Sequence, residues 1–397
     1  MAIRKGLLAG IVSLGVLLLV PVPGAPQPPA SKRPIRIGVV YPFTGPLAGL
    51  SEFYRAGTEI AFEQAGYQSR GRKIELLFED GEGKPDVGLT KVRKLVERDK
   101  VDILLGPISS AVALAIRDYV AASGVPLIIT QATVAELTGE KGAPNIVRTA
   151  PTDPQDHVGM GRYVYQELGY KKVILVALDY VAGHNHAKAF EKDFTAAGGQ
   201  IVERVFIALA SPDTAPYVTR ILARAKDADA VHAILWGSDG VRFARQMTEY
   251  GLREKIPVTA FGTFTDDGIM LPATGSVLKG IISYDDYSAG YEHPENKRFV
   301  QAVLAKTRKM PNKFAALGFV AGKAALEGLK AVEGNIENRS AFLAALKRVQ
   351  FDSPKGLVRL DENNQAIVTL FISRVEQVGD RLQNRVLKVV PDVRAPR

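Results

Sequence analysis

Residues 101–130 read VDILLGPISSAVALAIRDYVAASGVPLIIT. Two aliphatic runs of strand length, 101–105 and 125–130, flank a helix-length segment at 110–122. A strand, a helix and a second strand in that order make a crossover unit, and such units build parallel sheets with helices on both faces. The loop between the first strand and the helix, Gly106-Pro107-Ile108-Ser109-Ser110, places two hydroxyl side chains where backbone N–H groups are free.

The same rhythm runs outward in both directions. Upstream, 35–41 and 73–79 read as strands, and 52–66 and 86–99 as helices, the second with Leu89, Val92, Leu95 and Val96 on one face. Downstream, a second series starts after Arg148-Thr149-Ala150-Pro151. Asp153 as N-cap and Pro154 at the first helical position predict a helix to about Leu168. Alternating strands and helices then continue to 261. The segments 294–306 and 314–332 read as helices, and three strands end the chain around the turn Asp361-Glu362-Asn363-Asn364. These last elements cannot stand alone, so they must complete the earlier lobes. The expected fold is α/β, with two doubly wound parallel-sheet lobes. Lobe I takes 34–150 plus 284–350, and lobe II takes 151–283 plus 351–397.

Composition limits the function classes. The chain has 397 residues, 46% hydrophobic and 23% charged, enough apolar content for two cores. Its +9 net charge is spread among acids, as in KVRKLVERDK, so nucleic-acid binding is not expected. Residues 1–30 carry Arg4 and Lys5, an apolar run to Val20 and a Pro-rich stretch, the layout of a secretory signal peptide. With no cysteine, disulfides, thiolate metal sites and a cysteine-borne lipid anchor are excluded. The chain has no GxSxG, HExxH, Walker or EF-hand pattern, and an enzyme is not expected. His184-Asn185-His186 lacks partners for a metal site and reads as a loop and helix start; neither metal nor cofactor is expected.

Ligands of open parallel sheets bind beyond the carboxyl ends of the strands. Ser109 and Ser110 suit a carboxylate there, although Ser109 could serve only as a helix cap. The next strand ends in Gln131-Ala132-Thr133, a second donor-rich loop on the same rim. Tyr180, Trp236, Phe264 and Tyr284 fall at comparable ends in the second series, as candidate aromatic walls.

Taken in order, IRIGVVYPFTGPLAG, GRKIELLFEDGEGKPD, LLGPISSAVALAI, the GVPLI segment and IVRTAPTD resemble the periplasmic leucine/isoleucine/valine-binding protein family, from about Pro34 to the C-terminus. The resemblance implies a type I periplasmic binding protein: two α/β lobes joined by a three-crossing hinge that closes on a ligand. It further implies a periplasmic monomer that serves an ABC permease of the inner membrane. On this match Ser110 binds a carboxylate, Gln131 and Thr133 add polar groups, and Tyr180 supplies the second-lobe aromatic. Leu50 stands where the family often has an aromatic. The acid that would hold an amino-acid ammonium should lie near 263–266, where the direct match is Thr263 or Phe264. The segments DYVAGH and YDDYSAGYEHPENKRF resemble an aromatic-carboxylate subgroup. The expected ligand is therefore an aromatic acid, with an amino acid and a sensory receptor ectodomain as alternatives.

Overall fold

The structure is a computed structural model that describes residues 33–45, 47–139 and 142–396. The signal-peptide segment lies outside the described residues. Lobe I is built on β1 (Ile35–Tyr41), β2 (Gln68–Ser69), β3 (Arg72–Asp80), β4 (Ile103–Leu105), β5 (Leu127–Ile129) and β6 (Ile146–Arg148). Their order is β2-β3-β1-β4-β5-β6, parallel except for the short β2.

The second sheet contains β7 (Lys172–Asp179), β8 (Gln200–Ala208), β9 (Ala230–Ile234), β10 (Val258–Phe261) and β11 (Ile282–Asp285), parallel in the order β8-β7-β9-β10-β11. It then departs from the wholly parallel expectation. β12 (Gln350–Ser353), β13 (Gly356–Leu360), β14 (Ala366–Val378) and β15 (Arg381–Val393) join as an antiparallel extension, β14 pairing with β11. The lobe boundary expected at 283/284 falls inside β11.

Helices cover both faces of each sheet. In lobe I, α1 (Ala48–Gln64) packs on one face, and α2 (Pro85–Arg93) and α3 (Ser110–Ser123) on the other. In lobe II, α4 (Met160–Gln166) and α5 (Val181–Ala196) cover one face. The opposite face carries α6 (Ala215–Arg224), α7 (Gly237–Glu249) and α8 (Met270–Thr274). The chain then returns to lobe I as α9 (Pro294–Thr307), α10 (Lys313–Ala331) and α11 (Arg339–Leu346), whose apolar residues share the core of β1 and α1. The chain thus crosses between the lobes three times, at 149–159, 286–293 and 347–365. Phe351 and Val358, expected in lobe II, pack in the lobe I core.

Two details fix the frame. A Cβ on Gly57 of α1 would run into the carbonyl oxygen of Ala315, and one on Gly318 of α10 into that of Tyr54, so these helices touch backbone to backbone. The single helix expected from Pro154 to Leu168 is broken. A 3-10 turn at Gln155–His157 gives way to α4 only after Gly159, whose φ of 88° interrupts the spiral. The break leaves the Val158 carbonyl free to accept the Tyr284 hydroxyl.

Candidate functional site

In each lobe the strand order reverses beside the first strand of the series: between β1 and β4, and between β7 and β9. Loops leaving such a switch point diverge and leave a crevice. The loops after β1, β4 and β5 of lobe I and those after β7, β9 and β10 of lobe II line one cleft of about 450 Å³. A groove of similar volume among α1, the β2 hairpin and α10 lies away from these strand ends.

On the lobe I wall, Ser110 Oγ accepts the backbone N–H groups of Thr133 at 3.2 Å and Val134 at 3.3 Å. Both lone pairs of the hydroxyl are then engaged, and its proton is left to donate. Ser109 Oγ accepts Val112 N–H at 3.4 Å and is the cap of α3. Tyr54 donates to Gln131 Oε1 at 2.9 Å, which leaves the Gln131 amide nitrogen as a donor.

Behind this wall the guanidinium of Arg148 is fully buried. It donates to the carbonyls of Ala132 (2.9 Å) and Val134 (2.6 Å), to Thr138 Oγ1 (2.8 Å) and to Gln365 Oε1 (2.6 Å) of the third crossing. Burial pushes its pKa down to about 10. The peptide between Ala132 and Thr133 therefore has its carbonyl on a cation and its N–H on Ser110, an alignment that polarises the serine hydroxyl as a donor.

On the lobe II wall, Tyr180 and Trp236 meet edge to face with centroids 5.6 Å apart. They stand at the N-cap positions of α5 and α7, directly after β7 and β9. His186 lies between Trp236 and Phe261, its ring 4.7 Å from the phenyl. Burial holds His186 down to about 4, so the imidazole is neutral at ordinary pH.

Asp156 of the first crossing and Lys313 at the start of α10 line the cleft and lead to an ion cluster behind it. Lys313 Nζ lies 2.7 Å from Asp285 Oδ1 and 3.5 Å from both Asp156 Oδ2 and Asp286 Oδ1, while Lys355 pairs with Asp286. Burial raises Asp156 well above the usual carboxylate range against the pull of Lys313, and raises Asp285 to about 6. Asp286 is held below that range because Lys355 and Lys313 outweigh its burial. Asp156, Asp285 and Asp286 are close enough together to ligate a cation, but the Lys313 ammonium already stands among them.

Of the residues expected from sequence, Leu50, Ser109, Ser110, Gln131, Thr133, Tyr180 and Trp236 line the cleft together. Three do not. Ala132 is fully buried and turns its carbonyl to Arg148. Phe264 lies in the lobe II core against Phe243, because the 3-10 turn at Gly262–Thr265 faces Thr263 to the cleft instead. Tyr284 points from β11 into the α4 side of the sheet, where its hydroxyl meets Val158. Asp266, in the region expected to hold an acid, accepts the N–H groups of Gly268 and Ile269 and does not line the cleft. The carboxylates that do are Asp153 and Asp156. Sequence reasoning missed both, along with Arg148, His186 and Lys313. Only the IVRTAPTD motif pointed toward Arg148 and Asp153.

Comparison with known proteins places this geometry. Residues 34–380 match the family model described as periplasmic binding protein. Among solved structures, an ABC transporter substrate-binding protein from Sphaerobacter thermophilus is 36% identical with a TM-score of 0.87, over 91% of this chain and 99% of that one. A solute-binding protein of an ABC transporter from Rhodopseudomonas palustris, solved with 3,4-dihydroxybenzoic acid, is 28% identical with a TM-score of 0.84, over 91% and 98%. Among curated proteins, Leu/Ile/Val-binding protein homolog 6 of Brucella melitensis is 27% identical over 351 residues, 87% of this chain and 88% of that protein.

Proposed function

The chain belongs to the periplasmic binding protein family, and from that premise we propose that it captures a small aromatic carboxylate between its two lobes for an ABC importer. The observation that carries this reading is Ser110, whose hydroxyl takes two backbone N–H groups and keeps its proton for an acceptor. A carboxylate is the acceptor that best rewards such a donor, since a charge-assisted hydrogen bond is about twice as strong as a neutral one. Tyr180, Trp236 and Phe261 supply the aromatic slot opposite it. The R. palustris structure with 3,4-dihydroxybenzoic acid supports the same class of ligand.

The carboxylate docks on lobe I, and lobe II then rotates about the three crossings to cover the ring. The closed form engages the inner-membrane permease. The protein works as a periplasmic monomer, exported by its N-terminal segment. A branched-chain amino acid is the second reading, favoured by Asp153 and Asp156 in the cleft wall and by the names of the curated relatives.

The test is a thermal-shift titration of ligand-stripped protein with benzoate, 4-hydroxybenzoate and cinnamate against leucine and valine. A ligand at about a hundred times its dissociation constant adds about 2.7 kcal/mol of stability. Aromatic acids should raise the melting temperature of the wild type, and Ser110→Ala should need at least about tenfold more ligand for the same shift. A shift with leucine or valine alone overturns the reading.

A further inference from the structure

The cleft wall holds a polar pair that the carboxylate clamp does not use. Asp153, on the first crossing, is more than nine-tenths buried and lines the cleft. Its Oδ2 accepts Asn185 Nδ2 at 3.1 Å. Among the described residues nothing donates a hydrogen bond to its Oδ1. His186 Nε2 stands 3.6 Å from that oxygen, beyond hydrogen-bond range. A buried carboxylate oxygen without a donor is costly, and a ligand that supplies the donor recovers the cost.

The protonation of His186 follows from its neighbour. His157 Nε2 and His186 Nδ1 share a hydrogen bond of 2.9 Å, and burial keeps both rings neutral. His157 Nδ1 is buried and has no hydrogen-bond partner among the described residues. A bare ring nitrogen is tolerated there more readily than a stranded N–H. His157 therefore carries its proton on Nε2 and donates to His186, which must carry its own on Nε2. The cleft thus presents an N–H donor and a carboxylate acceptor 3.6 Å apart.

An atom within hydrogen-bond reach of both must accept and donate at once. A hydroxyl does both. An ammonium has protons for Asp153 but no lone pair for His186, and a methyl ether has a lone pair but no proton. We propose that Asp153 and His186 read a phenolic hydroxyl, so that the ligand is a hydroxylated aromatic carboxylate. This rests on the aromatic-carboxylate reading above and narrows it.

Isothermal titration of ligand-stripped protein with benzoate, 3-hydroxybenzoate, 4-hydroxybenzoate and their methyl ethers tests it. One hydroxybenzoate should bind about tenfold or more tighter than both benzoate and its own methyl ether, as two hydrogen bonds to a buried pair allow. In Asp153→Ala and His186→Phe the ratio of hydroxybenzoate to benzoate affinity should fall to within about threefold of one. Benzoate binding the wild type as tightly as both hydroxybenzoates, or a ratio that survives both substitutions, overturns the proposal and leaves the carboxylate clamp standing. Failure of every aromatic acid to bind the wild type overturns both. The wild-type comparison with the methyl ethers decides the matter even if a variant does not fold.

Discussion

Lys313 Nζ, buried where the three crossings meet, lies 2.7 Å from Asp285 Oδ1. Asp156 comes from the first crossing, Asp286 from the second and Lys355 from the third, so one ion cluster ties all three strands of the hinge. Lys313 is 3% exposed and Asp286 fully buried, which makes loss of the ammonium expensive. Lys313→Met should cost about 3–5 kcal/mol in urea denaturation, because it strands charge in the interior. Adding Asp285→Asn should recover part of that loss. A single variant as stable as the wild type would remove the cluster from any account of the hinge.

Asp266 predicts a pH dependence of opposite sign to ordinary acid denaturation. Burial, with Asp267 beside it, raises its pKa to about 7 from an ordinary value of 3.8. The native state thus keeps a proton that the unfolded chain has released between about pH 4 and 7. Asp266 therefore lowers stability as pH rises through that window and adds nothing further above it. The stability of Asp266→Asn relative to wild type should climb from pH 4 to 7 and then level off in urea melts. A difference independent of pH would show that Asp266 is ionised throughout.

Arg148→Met leaves the carbonyls of Ala132 and Val134 without the guanidinium that donates to them, and Gln365 Oε1 with only the Thr138 hydroxyl. Stability should fall by about 3 kcal/mol or more, and calorimetric affinity for the carboxylate by at least about tenfold, since the loop that holds Ser110 loses its anchor. Arg148→Lys should rescue little, because one ammonium cannot reproduce the planar fork.

Trp236→Ala opens the lobe II wall and removes the edge-to-face partner of Tyr180. Affinity for aromatic acids should drop about tenfold or more, with stability changed less, because the indole is only partly buried. Unchanged affinity by isothermal titration would place the ring elsewhere in the cleft.

The strands and helices were legible because their apolar periodicity is local, and the strand-end loops followed from the crossover pattern. Ser110, Tyr180 and Trp236 were found that way. Phe264 was misplaced by one residue, since a 3-10 turn decides which side chain faces the cleft and leaves no periodic trace. Arg148 and Lys313 escaped notice for a different reason. A lone cation in sequence looks like surface, and their burial is created by partners as distant as Gln365 and Asp156. His186 carries no pattern with His157, twenty-nine positions earlier, until the break at Gly159 brings the two rings together.

The backbone contact of α1 with α10 at Gly57 and Gly318 makes lobe I a welded jaw. Tyr54 of the carboxylate wall and Lys313 of the hinge sit on those two helices and cannot slide past one another. For a biosensor built on this scaffold, that dictates the wiring. A dye at Leu114 on the rigid lip is the stationary reference, and its mate at the exposed Val181 on the opposite lip is the needle.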